Sequence, residues 1–186
     1  MNYEQFITCD EITYSRPRML VIYGNYSETT YQTQVNNYIT WKKQKGYLIN
    51  AVSTAITGTN TNSIKNYIQS QYDNPNTRPD YIVLIGDTSG NMSIPSYSSY
   101  IDYYYTWLAG NDNLGDAAIG RISVETTADM VNYMAKVYSL ERDVNISTAS
   151  WLNSMLLVGD SSSSGISTIY TNRYIHDHSL MVNPSY

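Results

Sequence analysis

Few side chains in this chain can make or break bonds. Its 186 residues include one cysteine, Cys9, and two histidines, His176 and His178. A nucleophilic thiol needs a neighbour that lowers its pKa, and the sequence around Cys9 (ITCDEI) supplies no base or cation. The histidines stand at i and i+2 of a predicted helix, which turns them to different sides, whereas a shared metal calls for i, i+4. No Gly-x-Ser-x-Gly elbow occurs, so a serine nucleophile is not expected. Neither common glycine-rich phosphate loop occurs either, and no nucleotide cofactor is expected.

Carboxylates are the remaining candidates. Asp80, Asp87, Asp102, Asp112, Asp116, Glu125 and Asp129 share the stretch from 80 to 130 with a single base, Arg121. Within it, residues 110–116 (GNDNLGD) offer Asp112 and Asp116 beside the amide oxygens of Asn111 and Asn113, with Asp102 upstream. Hard oxygen donors in a glycine-containing loop suit calcium, although the spacing is not that of an EF-hand and its closing Glu is missing. The competing reading is a set of Asx turns. Gly86-Asp87 and Gly159-Asp160 each close an apolar run, and Gly24-Asn25 closes another. In an open parallel sheet, ligands bind beyond the carboxyl ends of the strands. Asp87 and Asp160 are therefore candidates for the rim of a cleft. The plainer reading is that Gly-Asp makes a tight turn and caps a helix.

The elements that must position these groups alternate along the chain. Residues 19–23 (MLVIY) and 81–85 (YIVLI) are continuous apolar runs, the pattern of strands buried on both faces. Residues 47–53 give a further strand, 117–123 a short one and 151–158 another. Between them, helical periodicity marks 31–45, with Gly46 in the place of a helix-terminating glycine. It also marks 62–71, and a helix from about 126 in which Thr126 and Asp129 stand as a capping pair. A final helix is expected over 167–181, after a Ser-rich loop. Residues 88–116 break the pattern, and their aromatic run 103–107 suits a short hairpin or ordered loop. The order predicts an α/β fold of three αβα layers on a mostly parallel sheet, Rossmann-like in topology.

Composition closes off other classes. The net charge is −5 and no basic stripe occurs, which excludes nucleic acid as the expected partner. No apolar run reaches the length of a membrane span, so no membrane insertion is expected. The N-terminus has no basic segment followed by an apolar one, and no signal peptide is expected in this chain.

The order of motifs resembles the gingipain-type cysteine peptidases of bacteria. The matching stretches are 18–23 (RMLVIY), 38–47 (YITWKKQKGY), 64–72, 80–87 (DYIVLIGD), 101–104, 110–112, 119–123 (IGRIS), 134–143 ending in LERD, and 151–152. The resemblance implies a caspase-like fold over 17–186, after a lead-in of residues 1–16. It implies an exported or cell-surface endopeptidase acting on polypeptide. In such an enzyme a histidine takes the thiol proton and backbone amides hold the oxyanion. The family's histidine stands in a His-Gly motif and its cysteine follows later. His176 and His178 lack the glycine, and Cys9 precedes the first strand. No catalytic residue is therefore assigned, and the dyad is expected after residue 186, in a remaining half of the domain. The acid that holds arginine in Arg-specific members has its nearest match at Thr168. The family also binds structural calcium, which favours that reading of Asp102, Asp112 and Asp116. The alternative is a gingipain-like module that has lost its dyad and serves in binding or assembly. A third reading, a doubly wound small-ligand domain, needs a ligand at Asp87 and Asp160.

Overall fold

A computed structural model describes residues 15–97, 101–144, 154–160, 162 and 165–180. Two compact units are present, Met1–Val137 and Tyr138–Tyr186. The first is built on four parallel strands, β1 (Arg18–Tyr23), β2 (Leu48–Ser53), β3 (Tyr81–Ile85) and β4 (Ala118–Ile122), in the order β2-β1-β3-β4. The most apolar strand is interior: Leu20, Val21 and Ile22 of β1 are 1%, 0% and 0% exposed.

Register sorts the side chains into two layers. Leu20 pairs with Ile82, and Ile22 pairs with both Val52 and Leu84. These residues form one core with Ile64 and Ile68 of α3 (Thr61–Asp73), together with Ile94, Tyr105 and Leu108 from the long connection after β3. From α1 (Thr29–Gln44), Tyr31, Val35 and Tyr38 are buried, and the Tyr31 hydroxyl donates to Ile85 O at 3.4 Å. Burial in this layer pushes the Tyr31 phenol well above its ordinary pKa.

Local signals act where the sequence places them. Gly46 takes φ +102° and ends α1, with Gly46 N donating to Lys43 O and Tyr47 N to Lys42 O. Asn60 caps α3 through Ser63 N at 2.9 Å. Ahead of α4 (Thr127–Glu141), Asp129 accepts from Thr126 N at 2.9 Å while Asp129 N donates to Thr126 Oγ1 at 3.2 Å, a reciprocal cap. A short helix, α2 (Thr54–Thr57), follows β2 and had no sequence signal. The aromatic run forms a 3-10 turn, Tyr103–Thr106, inside an irregular connection rather than a hairpin.

In the second unit, α5 (Ile166–Ile175) continues into a π-helical turn, His176–Leu180. The strand expected over 151–158 lies partly outside the described residues, and 154–158 form no strand. A strand needs a ladder partner. None is found for this segment among the described residues, and Met155, Leu156 and Val158 are 60%, 87% and 73% exposed.

Leu84→Ala is expected to cost roughly 2–5 kcal/mol by opening a cavity between the sheet and α3. Leu156→Ala is expected to stay within about 0.5 kcal/mol. Urea midpoints of the two variants check this, and equal losses would contradict the assigned core.

Candidate functional site

The carboxyl ends of the strands are the place to look for a ligand crevice, and here the chain fills it. Residues 86–94 fold back over the ends of β1 and β3, and Met92 and Ile94 are buried. A Cβ on Gly24 would stand 2.3 Å from Met92 O, and one on Gly86 would stand 2.0 Å from the same oxygen. These glycines admit the protein's own backbone. Gly24 N donates to Ile85 O, Gly86 N to Ile122 O, and Ile94 N to Asp87 O, which pins the fold-back to the sheet.

Asp87 lies at the end of β3 and accepts a short hydrogen bond from the Ser123 hydroxyl just past β4. Ser89 donates to Glu125 Oε1 at 3.2 Å in the same place. The Ser123 hydroxyl, then the Thr88 amide, a shared hydrogen bond with Glu125 and the charge of Arg121, hold the Asp87 carboxyl below its ordinary 3.8. Two carboxylates and two hydroxyls therefore meet at this rim. Glu125 belongs to the acidic stretch marked in the sequence, whereas Ser123 carries no sequence signal of its own.

Arg121 is the larger omission. It lies on β4, opposite Leu84. Its Nε and Nη2 donate to Asp102 at 2.8 and 2.7 Å, and its Nη1 donates to Gly86 O and Ile94 O, both at 2.8 Å. The two side chains are 12% and 18% exposed, so the pair is largely desolvated. One guanidinium thus ties both ends of the 86–94 fold-back and the start of the aromatic run to a strand. The signal was present: Arg121 is the lone base among seven acids.

The next stretch is held from α3. Lys65 Nζ donates to the carbonyls of Tyr104, Tyr105 and Trp107, and Gln69 Nε2 donates to Leu108 O at 2.8 Å. Burial lowers the Lys65 pKa, against the pull of Asp116. Tyr105 is fully buried and donates to Pro95 O at 2.6 Å; burial first, then the Asp102 charge, pushes its phenol up to about 12. Asp116 Oδ2 accepts from Ala109 N and Leu108 N at 2.8 and 2.7 Å, and these bonds hold its carboxyl below 3.8.

The fit to calcium can be read from these contacts. Asp102 is taken up by Arg121, Asp116 by two backbone amides, and Asp112 Oδ1 accepts from Leu114 N at 3.0 Å in a local turn. Among the described residues no three His, Cys, Asp or Glu side chains converge on one point. The three aspartates do not together form a calcium cage.

In the second unit, Asp160 accepts from Ser162 N and the Ser162 hydroxyl at 2.8 and 2.6 Å, bonds that lower its pKa. Thr168 is exposed in the first turn of α5, and its amide donates to Gly165 O. His176 Nδ1 meets Asp177 at 2.8 Å, and His178 stacks on Tyr174 at 4.2 Å. Each histidine is thus engaged by a close neighbour in the chain. Cys9 lies outside the described residues.

A family model described as Peptidase family C25 matches residues 12–186. The chain belongs to that family. Among curated relatives, Gingipain R2 of Porphyromonas gingivalis is 25% identical over 160 residues, covering 85% of this chain and 21% of its own length. Gingipain R1 of the same bacterium is 25% identical over 143 residues, covering 76% of this chain and 14% of itself. Of solved structures, the Arg-specific cysteine proteinase gingipain R superposes with a TM-score of 0.68 at 23% identity, over 87% of this chain and 38% of that one. A structure described only as a protease gives 0.59 at 27% identity, over 68% and 28%. The fold is thus the caspase-like α/β fold of the gingipains. This C25 chain spans about a fifth or less of the length of the curated relatives it matches.

Two outcomes follow for this C25 domain. Arg121→Ala is expected to cost roughly 3–5 kcal/mol, because it strands a desolvated carboxylate and two carbonyls. Combining it with Asp102→Ala should cost less than the two single losses summed. A loss for Arg121→Ala under about 1 kcal/mol in chemical denaturation would refute the clamp. The depressed carboxyls of Asp87 and Asp116 contribute stability above their unfolded pKa, and lose it as pH falls through the folded pKa. Asp116→Asn should therefore lower Tm at pH 7, and the gap to wild type should narrow below about pH 4. A gap that widens in acid would reverse the assignment.

Proposed function

We propose that residues 17–186 are the first, non-catalytic part of a gingipain-like peptidase domain. They supply sheet scaffold and part of the substrate cleft, and the His/Cys dyad is carried by sequence that follows residue 186. The substrate of the whole protein is polypeptide, and its place is the exterior or surface of a bacterium. The observation that carries this reading is one of coverage: 87% of this chain lies on 38% of gingipain R. Two features support it. His176 and His178 each contact a close neighbour in the chain, Asp177 and the Tyr174 carbonyl, and neither is followed by glycine. In addition, α5 has no buried residue, and Ile166, Tyr170 and Tyr174 share one face at 52%, 62% and 63% exposure. A helix with an apolar face of that kind is ordinarily covered by further structure.

The small-ligand reading loses its crevice to the Met92 fold-back. Arg specificity has no acidic side chain at Thr168 to support it.

Expression of the chain alone, and of the chain extended past Tyr186 in its native reading frame, tests the proposal with a casein substrate and a thiol reductant. The short chain should be inert, and the extended one should hydrolyse casein and be stopped by iodoacetamide. Thiol-dependent hydrolysis by the 186-residue chain would overturn the scaffold reading. A folded but inert extended chain would overturn the peptidase reading and favour the binding module.

A further inference from the structure

Bases gather at the start of the sheet on its β2 side, where residues 15–50 hold Arg16, Arg18, Lys42, Lys43 and Lys45 against the single acid Glu28. Arg16 and Arg18 stand where β1 begins. Lys42, Lys43 and Lys45 lie at or just beyond the end of α1, immediately before β2.

At this basic end lies a cleft of about 430 Å³, which Arg16, Arg18 and Lys43 line. Its remaining wall is mixed: Met19, Tyr47 and Ile49 give apolar surface, and Asn76 and Thr77 come from the connection after α3. Both guanidiniums are anchored on backbone. Arg16 Nε donates to Gly46 O at 2.8 Å, and Arg18 Nη1 to Pro75 O at 3.4 Å. Each guanidinium has five N–H donors, so these contacts orient the group and leave others for a ligand. Lys43 is exposed. Asp80, the nearby acid, is turned to the Arg18 amide at 2.7 Å. The cleft also opens along Leu48, Ile49 and Asn50 of β2, and β2 is an edge strand among the described strands.

We propose that this cleft docks an extended acidic polypeptide segment, with a carboxylate reached by Arg18 and Lys43 and apolar neighbours against Met19 and Tyr47. Charge selects the class of partner. The volume holds a few side chains, the apolar wall rewards more than a bare anion, and an edge strand offers backbone pairing to an extended chain. The proposal does not depend on where the peptidase dyad lies, because it concerns the end of the sheet opposite the catalytic end implied by the fold.

The probe is a fluorescein-labelled peptide alternating glutamate and leucine, followed by fluorescence anisotropy with the whole 186-residue chain. A peptide alternating lysine and leucine is the comparator. The glutamate peptide should bind and the lysine peptide should not. Lys43→Glu should weaken binding roughly tenfold, while Arg173→Glu, on α5, should change it less than about twofold. Thermal melts of both variants confirm that they remain folded. Equal effects of the two substitutions, or binding of both peptides alike, would overturn the proposal. So would displacement of the peptide by millimolar inorganic phosphate, which would mark a simple anion site.

Discussion

The guanidinium of Arg121 is the constraint on which the upper part of the sheet depends. The chain between β3 and β4 is a long excursion with little regular structure, and its backbone polar groups have no ladder to satisfy them. Buried groups of that kind cost about 1–3 kcal/mol each when left unpaired. Arg121 answers two of these carbonyls and one carboxylate from a single strand position. Lys65 donates hydrogen bonds to three further carbonyls, and Asp116 accepts them from two amides. The described parts of the excursion are thus held to the sheet and to α3 by three charged side chains. These charges act as substitutes for a ladder.

The regular elements were legible because burial writes them in periodicity. Residues 81–85 match β3 to the residue, and α1 and α3 fall within two residues of their periodic limits. The capping pair Thr126–Asp129 and the terminating Gly46 were legible for the same reason: each has one local geometry that suits it. The rim was harder to read. Gly24 and Gly86 end apolar runs in the sequence, but sequence cannot tell an incoming ligand from the chain's own Met92. The acids at 102, 112 and 116 posed the same problem. A carboxylate waiting for a cation and one already serving an arginine or an amide have the same spelling, and only the fold reveals the partner. Of the run 151–158, residues 154–158 form no strand, and the rest lies outside the described residues.

The family relationship and the physical reading meet in the fold: the strand-end crevice is filled by the chain's own backbone at Met92, and Arg121 and Asp102 are paired with each other. The parallel arrangement brings the starts of β1 and β2 together, and with them Arg16, Arg18 and Lys43 at one cleft.

The strand order has a consequence for how the chain is made. Synthesis delivers β1 first, yet β1 is interior and receives its second neighbour only when β3 has been translated. Until then a nascent β1–α1–β2 unit carries a bare apolar layer, Leu20, Ile22 and Val52, which α3 begins to cover and residues 94–108 complete. A growing chain thus spends an interval with a sticky face and an unpaired strand beside the ribosome. At about 5–20 residues per second that interval lasts several seconds. The five bases that residues 15–50 hold against Glu28 give this stage a like-charge repulsion that opposes association of the exposed faces.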